Sequence, residues 1–556
     1  MASDYPFDLG PYRRPVTAQN TAAQTWFHRG LVWTYSFNHE EAASCFEKAV
    51  AADATCAMAH WGLAYCLGPN YNKPWSFFDE KDLADVVRRG HRAAKLALNN
   101  LSGKTPVEAA LVKAVQHRYP EGEPSGRCDT WSEAFADAMG EVYREFPDDL
   151  DVVTVYADSL MNLKPWELWD LKTGEPTEGA PALKIKAVID RALALDGALR
   201  HPGLIHMYIH LMEMSPNPAA ALPMADHLRG LVPDGGHLHH MPTHLDVLCG
   251  RYQAAIESNS AAIAADERYL SVAGPLNFYT LYRAHNHHFR VYAAMFAGQL
   301  AVCLDSVARL EASLPRELLV VESPPMADWL ESFLTLRAHV LIRFGRWEEI
   351  LALSFPEDRG LYCTTTAVLH YAKAIAFAVT GSLREAETQQ QEFRAAARNF
   401  KGSRTLFNNT CTDILRVAEA MMDGEVEYRH GNYDIAFEHL REAIRREDSL
   451  PYDEPWGWMQ PTRHAYGALL LEQGRVEEAT KVYMADLGMN DELPRALRHP
   501  GNIWALHGVH ECLLKLGKEN EARDIEEELD MARKGADVPV RASCFCRLKT
   551  CCSQDS

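Results

Sequence analysis

The sequence has no excess of basic residues. Its 556 residues include 56 Lys and Arg against 76 Asp and Glu, and the formal net charge is −20 at pH 7. Nucleic acids and anionic membrane surfaces bind proteins through basic patches, so we expect neither as a partner. An acidic balance of this kind is typical of a chain that its surface charge keeps soluble.

Long apolar runs are also missing. No stretch of about eighteen apolar residues occurs, so no transmembrane segment is predicted. Residues 1–20, MASDYPFDLGPYRRPVTAQN, contain no apolar core of a secretory signal, and we expect a cytoplasmic protein. Most of the 13 cysteines stand alone, which in that compartment predicts small buried side chains rather than disulfides.

Common motifs of metalloproteases and nucleotide-binding proteins are absent. Neither HExxH nor GxGxxG occurs in the sequence. The stretch GKT at 103–105 ends like a phosphate-binding loop, but Leu98 stands where that loop needs its first glycine, and Pro106 follows directly. We interpret this stretch as a turn between helices.

What the sequence has instead is a helical repeat. Apolar residues recur every three or four positions almost throughout, which predicts helices. Similar turns separate these helices, at Phe37, Gly250, Gly345, Gly431, Gly474 and Gly517. Alanine usually follows five residues after the turn residue, as at Ala255, Ala436 and Ala479, whereas the unit at Gly345 has Ile350 there.

This pattern resembles the tetratricopeptide repeat (TPR), a helix–turn–helix unit of about 34 residues. The resemblance implies an all-α fold, a TPR-like α-α superhelix or solenoid of roughly nine or ten helical hairpins. We expect a single domain over residues 21–535, with the metal-site repeats at about 200–298. Residues 1–20 would form an N-terminal arm, and residues 536–556 a Cys-rich tail that we expect to be disordered.

Three blocks are rich in histidine: HPGLIHMYIH at 201–210, GGHLHHMPTH at 235–244 and HNHHF at 285–289. In the tetratricopeptide family, positions 2, 5, 9 and 12 of the first helix of each repeat face the groove, and this spacing forms one stripe. Counting back from the turns places seven histidines on that stripe: His206, His210, His237, His240, His244, His285 and His288. Glu213 and Tyr292 fall on it as well.

We predict that these histidines bind a transition metal. Histidines at i and i+4 present two nitrogens to one ion, and helix axes about 8–10 Å apart let imidazoles of successive repeats meet. Seven imidazoles exceed one tetrahedral shell, so the centre could hold more than one ion. Nitrogen-rich coordination favours copper, with zinc or iron as alternatives. A peptide-binding groove or a buried polar network is the competing interpretation.

The histidine blocks also resemble a group of tetratricopeptide proteins in bacteria and fungi that carry HPG-x2-H-x3-H, GH-x2-HMP-x-H and HN-x-HF motifs. The resemblance includes FNHEEA at 37–42, CAMAHWGLAYCLGPNYN at 56–72, LMNLKPWELWD at 160–170 and YDEPWGWMQPTR at 452–463. Loop residues of these blocks either line the site or pack between repeats: Asn70, Asn72, Asn162, Trp166 and Trp169. Four further histidines stay undecided as site members: His201, His339, His464 and His507.

The leading functional hypothesis is a metal-dependent oxidoreductase, using copper or iron, that acts on a small molecule. Glu213 would be a ligand or general base, and Tyr292 a hydrogen-bond donor or a radical-forming phenol. The alternatives are a zinc-dependent hydrolase on the same ligands and a non-enzymatic scaffold that binds a partner peptide. A homo-oligomer is left open.

The tail contains four cysteines within nine residues: Cys544, Cys546, Cys551 and Cys552. Soft thiolates favour Cu(I) or zinc, so delivery of metal to the histidines is one interpretation. Reversible palmitoylation is a second, because basic residues lie nearby. A tail without a specific role is the third.

Overall fold

The computed structural model describes residues 5–126 and 128–547. Within this range nearly all regular structure is helical, and the predicted all-α class, built of TPR-like helical hairpins, is confirmed. The chain forms two compact units: unit 1 comprises residues 1–245 and 258–283, and unit 2 comprises residues 246–257 and 284–556. The two units divide the range 21–535, which the sequence analysis treats as one domain.

Unit 1 contains helices α1 to α11. Their bounds are α1 Thr21–Tyr35, α2 His39–Ala52, α3 Ala57–Leu67, α4 Glu80–Asn99, α5 Pro106–Val115, α6 Cys128–Glu145, α7 Leu150–Met161, α8 Ala182–Leu193, α9 Pro202–Glu213, α10 Leu222–Leu228 and α11 Gly236–His240. Short 3₁₀ helices lie at Trp75–Phe77, Gln116–Arg118, Ala198–Arg200 and Pro218–Ala221. Three helices have residues in both units: α12 Pro242–Leu248, α13 Tyr252–Ala273 and α14 Thr280–Phe296.

Unit 2 contains helices α15 to α27. Their bounds are α15 Leu300–Ser313, α16 Arg316–Leu319, α17 Met326–Leu330, α18 Leu336–Arg343, α19 Trp347–Ala352, α20 Cys363–Val379, α21 Leu383–Arg398, α22 Cys411–Arg429, α23 Tyr433–Asp448, α24 Thr462–Glu472, α25 Val476–Leu487, α26 Ile503–Lys515 and α27 Glu519–Gly535. Short 3₁₀ helices lie at Glu331–Thr335, Arg495–Leu497 and Phe545–Arg547. Strands β1 Thr405–Leu406 and β2 Asn409–Thr410 form an antiparallel hairpin.

The hairpin turns explain the repeated glycines. Gly431 and Gly474 have φ angles of 84° and 73°, a left-handed conformation that costs glycine nothing. At Gly474 the backbone N–H donates to the carbonyl of Leu471, and the next N–H donates to that of Leu470. These two bonds close the end of α24 as a Schellman motif and start α25 in the opposite direction. Gly250, Gly345 and Gly517 also have positive φ angles.

The residue five positions after each turn lies inside the helical packing. Ala42, Ala436 and Ala479 are each 0% exposed, and so is Ile350, which replaces alanine in its unit. A small side chain at this position lets the second helix of a hairpin pack closely on the first. The sequence repeat is therefore a packing repeat.

A buried carboxylate anchors the start of α9, the helix on which the first two site histidines lie. Asp151 accepts hydrogen bonds from the hydroxyl of Tyr12 at 2.6 Å and from Arg14 at 2.6 Å. His201 is 3.3 Å from the same carboxylate and caps α9 by accepting the backbone N–H of Leu204. Burial alone would raise the pKa of Asp151, but Arg14 and the other donors hold it below its usual range. Residues of the predicted N-terminal arm thus help to fix α9.

Residues 537–547 pack on unit 2, although the sequence predicts disorder from residue 536. The carboxylate of Asp537 accepts the backbone N–H groups of Leu300 and Ala301 at 2.6 and 2.8 Å. Ser543 is buried, and its backbone carbonyl accepts a hydrogen bond from Arg343. These partners lie far away in the sequence, so local composition did not reveal them. Cys551 and Cys552 lie outside the described residues.

Candidate metal centre

Helix α9 presents His206 and His210 one turn apart. Both side chains are 0% exposed, and their ring centroids are 4.9 Å apart. Pro202 occupies the first turn of the helix, where its missing N–H costs nothing. The i, i+4 spacing therefore places the two imidazoles on one buried face, as the sequence predicts.

The second group of histidines lies on two short helices. Pro242 begins α12 directly after α11, so His237 and His240 lie on one helix and His244 on the next. All three rings are buried. Gly236 is required here, because a Cβ atom on it would come within 1.9 Å of the carboxylate of Asp266. This close approach fixes α11 against α13.

Five imidazoles meet inside unit 1. The ring centroids of His206 and His237 are 4.9 Å apart, those of His210 and His244 are 5.8 Å apart, and those of His237 and His240 are 5.7 Å apart. His210 and His244 are 34 residues apart, which is the length of one tetratricopeptide repeat, and so are His206 and His240. Successive repeats therefore bring their histidines together.

The Nδ1 atoms of four of these rings bind protein acceptors. His206 Nδ1 donates to the backbone carbonyl of Tyr35 at 2.7 Å, and His240 Nδ1 donates to the side-chain oxygen of Asn259 at 2.8 Å. His210 Nδ1 donates to Glu213 Oε1 at 2.9 Å, and His244 Nδ1 donates to Glu213 Oε2. Because these acceptors cannot donate, each Nδ1 carries the proton and each Nε2 keeps its lone pair.

Several of the remaining nitrogens have no partner in the protein. His206 Nε2, His210 Nε2 and both ring nitrogens of His237 are buried without a hydrogen bond. One nitrogen from each of these three residues lies within 4.8 Å of the others. His240 Nε2 and His244 Nε2 are 2.7 Å apart. Two lone pairs at that distance repel each other unless a cation lies between them.

Burial keeps all five rings neutral. It lowers the pKa of His206 to about 3 and that of His244 to about 3. Burial and the neighbouring histidines also hold the pKa values of His210, His237 and His240 well below the usual range. The neutral imidazole is the form that binds metals.

Aromatic side chains surround these imidazoles. The ring of Phe37 lies 4.4 Å from that of His206, the ring of Tyr71 lies 4.8 Å from that of His210, and the ring of Tyr282 lies 4.7 Å from that of His237. Trp166 makes an edge contact with His210 at 5.7 Å. Of these four, only Trp166 is among the loop residues that, from the sequence, either line the site or pack between repeats. Phe37 and Tyr71 lie in the blocks FNHEEA and CAMAHWGLAYCLGPNYN. Their membership of these blocks is the sequence signal that could have identified them as residues of the site.

Three site residues predicted from the sequence belong to unit 2. His285 packs edge-on against Phe407 at 4.6 Å. His288 lies against Met459, and Tyr292 packs on Phe296 at 4.7 Å. The structure therefore brings five of the seven histidines and Glu213 together within unit 1, and describes these three residues in unit 2.

The four undecided histidines have separate environments. His201 caps α9, as described above. His464 donates to Asp486 at 2.9 Å and accepts from Arg343 at 2.9 Å, so both of its nitrogens are used. His339 and His507 each have a buried Nδ1 without a hydrogen-bond partner.

The other predicted loop residues have structural contacts. Trp169 donates to the carbonyl of Leu211 at 2.7 Å, and Asn162 donates to Asp158. Asn70 accepts the backbone N–H groups of Asn72 and Lys73 at 2.9 Å each. These bonds hold the loops after α3 and α7 in place.

A cavity of about 270 Å³ lies next to this centre in unit 1. Phe37, which contacts His206, also lines the cavity. Asn70, the neighbour of Tyr71, lines it too, together with His39, Lys73 and Phe278. The lining of this cavity is therefore both polar and aromatic, and Phe37 is the residue that it shares with the surroundings of the imidazoles.

In the tail, the structure records a disulfide between Cys544 and Cys546. Both residues line a small cavity in unit 2 that Arg343 and His464 also line. The described cysteines outside this pair are free thiols and mostly buried, as the sequence predicts.

Comparisons with known proteins give no family. No family model matches this sequence, and no curated protein does. Among solved structures, Ypp1 is similar at 9% identity and a TM-score of 0.45, covering 94% of this chain and 82% of that one. A human IFIT1 dimer with m7Gppp-AAAA is similar at 12% identity and a TM-score of 0.32, covering 93% and 91%. Yeast Tom70 is similar at 10% identity and a TM-score of 0.28, covering 90% of each chain.

None of the described helices combines the length and the apolar character that a membrane span requires.

Proposed function

We propose that unit 1 holds a transition-metal centre and that the protein is a metal-dependent oxidoreductase acting on a small molecule. The proposed ligands are His206, His210, His237, His240 and His244. The observation that carries the proposal is the set of buried imidazole nitrogens without hydrogen-bond partners at His206, His210 and His237. A buried polar atom without a partner costs about 1–3 kcal/mol, and a bound ion removes that cost.

The fixed tautomers support metal binding over a purely structural network. Metal-ligating histidines generally donate their second ring N–H to a carboxylate, an amide or a backbone carbonyl. His206, His210, His240 and His244 all do so. A polar network built for stability would instead use both nitrogens of each ring.

The imidazoles form two adjoining ligand sets. His206, His210 and His237 supply three nitrogens, which leaves the open position typical of a catalytic ion. His240 and His244 supply a pair whose 2.7 Å separation is close to the roughly 2.9 Å expected for two nitrogens at a right angle on one ion. The arrangement supports one ion on the first set and a second on the pair.

The sequence predicts Glu213 as a ligand or a general base, and the hydrogen bonds of its carboxylate suggest a different role. Its two carboxylate oxygens accept the Nδ1–H groups of His210 and His244. We propose that it orients these two ligands and raises their basicity, rather than binding the ion or acting as a base. Roles for His285, His288 and Tyr292 in catalysis stay predictions.

Copper is the metal that we propose. Five imidazoles without a carboxylate ligand suit copper, zinc or iron better than magnesium or calcium. Bound copper or iron would supply one-electron and oxygen chemistry. The buried aromatic surround excludes water from the centre, and the adjoining cavity is the proposed position of the substrate.

Elemental analysis of the purified full-length protein tests the proposal. We expect copper or iron to co-purify at one or two equivalents per chain, and zinc alone would favour the hydrolase alternative. The double variant His206→Ala/His240→Ala should lose the bound metal. His60→Ala is the matched control, because His60 is also buried in unit 1 and its Nε2 donates to the backbone carbonyl of Ala54 at 3.0 Å. Full stoichiometry in the double variant, or no metal in a wild-type protein that is reloaded, contradicts the proposal.

A further inference from the structure

Unit 2 contains a histidine and a methionine in an unusually close contact. His288 Nε2 lies 2.8 Å from the sulfur of Met459. That distance is normal for N–H···O, but sulfur is larger than oxygen and a weak acceptor, so N–H···S contacts are longer. The two side chains are 0% and 2% exposed, so no solvent lies between them.

The structure holds Met459 in this position. Its loop, residues 449–461, contains no helix or strand and joins α23 to α24. Trp456 Nε1 donates to the carbonyl of Glu447 at 3.1 Å, and Thr462 N donates to the carboxylate of Glu447 at 2.9 Å. Gly457 allows the loop to approach the β-hairpin, because a Cβ atom there would lie 2.7 Å from Asn409. These contacts of the block YDEPWGWMQPTR therefore fix the loop that carries Met459.

Unsatisfied nitrogens surround this contact. His288 Nδ1 is buried without a hydrogen-bond partner, and so is His339 Nδ1. His339 interacts electrostatically with His288 and packs edge-on against Trp458 at 5.0 Å. Phe333 covers the ring of His288 at 5.3 Å. The result is a dry pocket with two imidazoles and one thioether.

We propose that His288 and Met459 form a Cu(I) site in unit 2, with the neighbouring His339 as a third candidate ligand. Thioether sulfur is a soft ligand that selects Cu(I) over zinc and over hard divalent ions. An ion with bonds of about 2.0 Å to nitrogen and about 2.3 Å to sulfur holds these atoms roughly 3.5 Å apart at the tetrahedral angle. The 2.8 Å contact already brings both ligand atoms to one point, and binding of the ion requires them to move apart by several tenths of an ångström. This site does not depend on the centre proposed in unit 1.

The test is anaerobic titration of the full-length apoprotein with Cu(I) in competition with bicinchoninate, followed by X-ray absorption at the copper edge. Reduced cysteines of the tail would compete for Cu(I), so all proteins carry Ser at positions 544, 546, 551 and 552. Met459→Leu conserves volume and should fold. Met422→Leu is the control, because Met422 is equally buried in unit 2.

We expect Met459→Leu to bind the site's Cu(I) equivalent at least about tenfold more weakly and to lose the copper–sulfur scattering near 2.3 Å. Met422→Leu and His206→Ala should keep both properties. The site is disproved if wild-type protein shows no copper–sulfur scattering, or if Met459→Leu keeps that scattering. Loss of the signal in His206→Ala would show instead that sulfur ligation belongs to the unit 1 centre, and would overturn an independent site.

Discussion

Replacing Glu213 by glutamine tests how the unit 1 imidazoles are oriented. The carboxylate accepts Nδ1–H from both His210 and His244, and it is 0% exposed. Glutamine has almost the same shape, but one of its two terminal atoms becomes an NH₂ group, which cannot accept. One histidine must then shift its proton to Nε2 so that Nδ1 can accept from that group, and its Nε2 lone pair is lost to the metal.

The size of the effect follows from this geometry. Loss of an outer partner that orients a metal ligand costs roughly 10–100-fold in metal affinity. That range corresponds to about 1.4–2.7 kcal/mol at 25 °C. Because Glu213 orients two ligands and the variant disables one of them as a donor of electrons, we expect a value near the upper end, close to 100-fold.

The assay is competition between apoprotein and a chromophoric chelator for Cu²⁺ and Zn²⁺ at pH 7.5. The matched control is Glu108→Gln, because Glu108 is also buried in unit 1 but caps α5 and accepts from Thr17 and Thr105. Its metal affinity should equal that of the wild-type protein. If Glu213→Gln binds both ions within twofold of wild type while remaining folded by circular dichroism, the proposed tautomer argument is wrong.

Two further predictions concern stability. The pKa values of His206 and His244, about 3 each, lie below the roughly 6.5 of an unfolded histidine, so the unfolded state binds more protons and stability falls as pH drops from 6.5 towards 3. Between pH 7.5 and 5.0 each ring should lower the free energy of unfolding by about 2 kcal/mol. Urea unfolding of metal-free protein at these two pH values measures the loss. Equal midpoints, or the same loss in His206→Asn/His244→Asn, would refute it. Gly431 has a φ of 84° and open space where a Cβ atom would lie. Gly431→Ala should therefore lower the free energy of unfolding by about 1 kcal/mol, and Gly431→Asn by less. An unchanged urea midpoint in Gly431→Ala would exclude backbone strain at that turn.

Much of the local fold could be predicted from the sequence because each hairpin repeats the same short-range signals. Gly474 marks a left-handed turn, and Ala479 marks the point where two helices approach closely. These signals depend only on neighbouring residues. The packing of residues 537–547 could not be predicted, because its partners, such as Arg343, lie about two hundred residues earlier.

The histidines of the unit 1 centre were predictable for a related reason. A constant repeat length carries the i, i+4 pair of α9 into the next repeat, so His210 and His244 meet. Their hydrogen-bond partners were not predictable, because these partners do not recur at a fixed position of the repeat. Tyr35 contributes a backbone carbonyl, and Asn259 comes from α13. Met459 was missed for the same reason, since it lies in a loop without helical periodicity.

The burial of the unit 1 histidines links the proposed metal to the stability of the fold. Buried polar atoms normally have a hydrogen-bond partner, either in the protein or in ordered water. Here Phe37, Tyr71 and Trp166 cover the imidazoles, and four ring nitrogens of His206, His210 and His237 have no partner. At about 1–3 kcal/mol each, these atoms cost roughly 4–12 kcal/mol, which is comparable with the entire net stability of a typical domain. An ion that binds one nitrogen from each of the three rings would remove most of this cost, so metal binding and folding of unit 1 should be thermodynamically coupled.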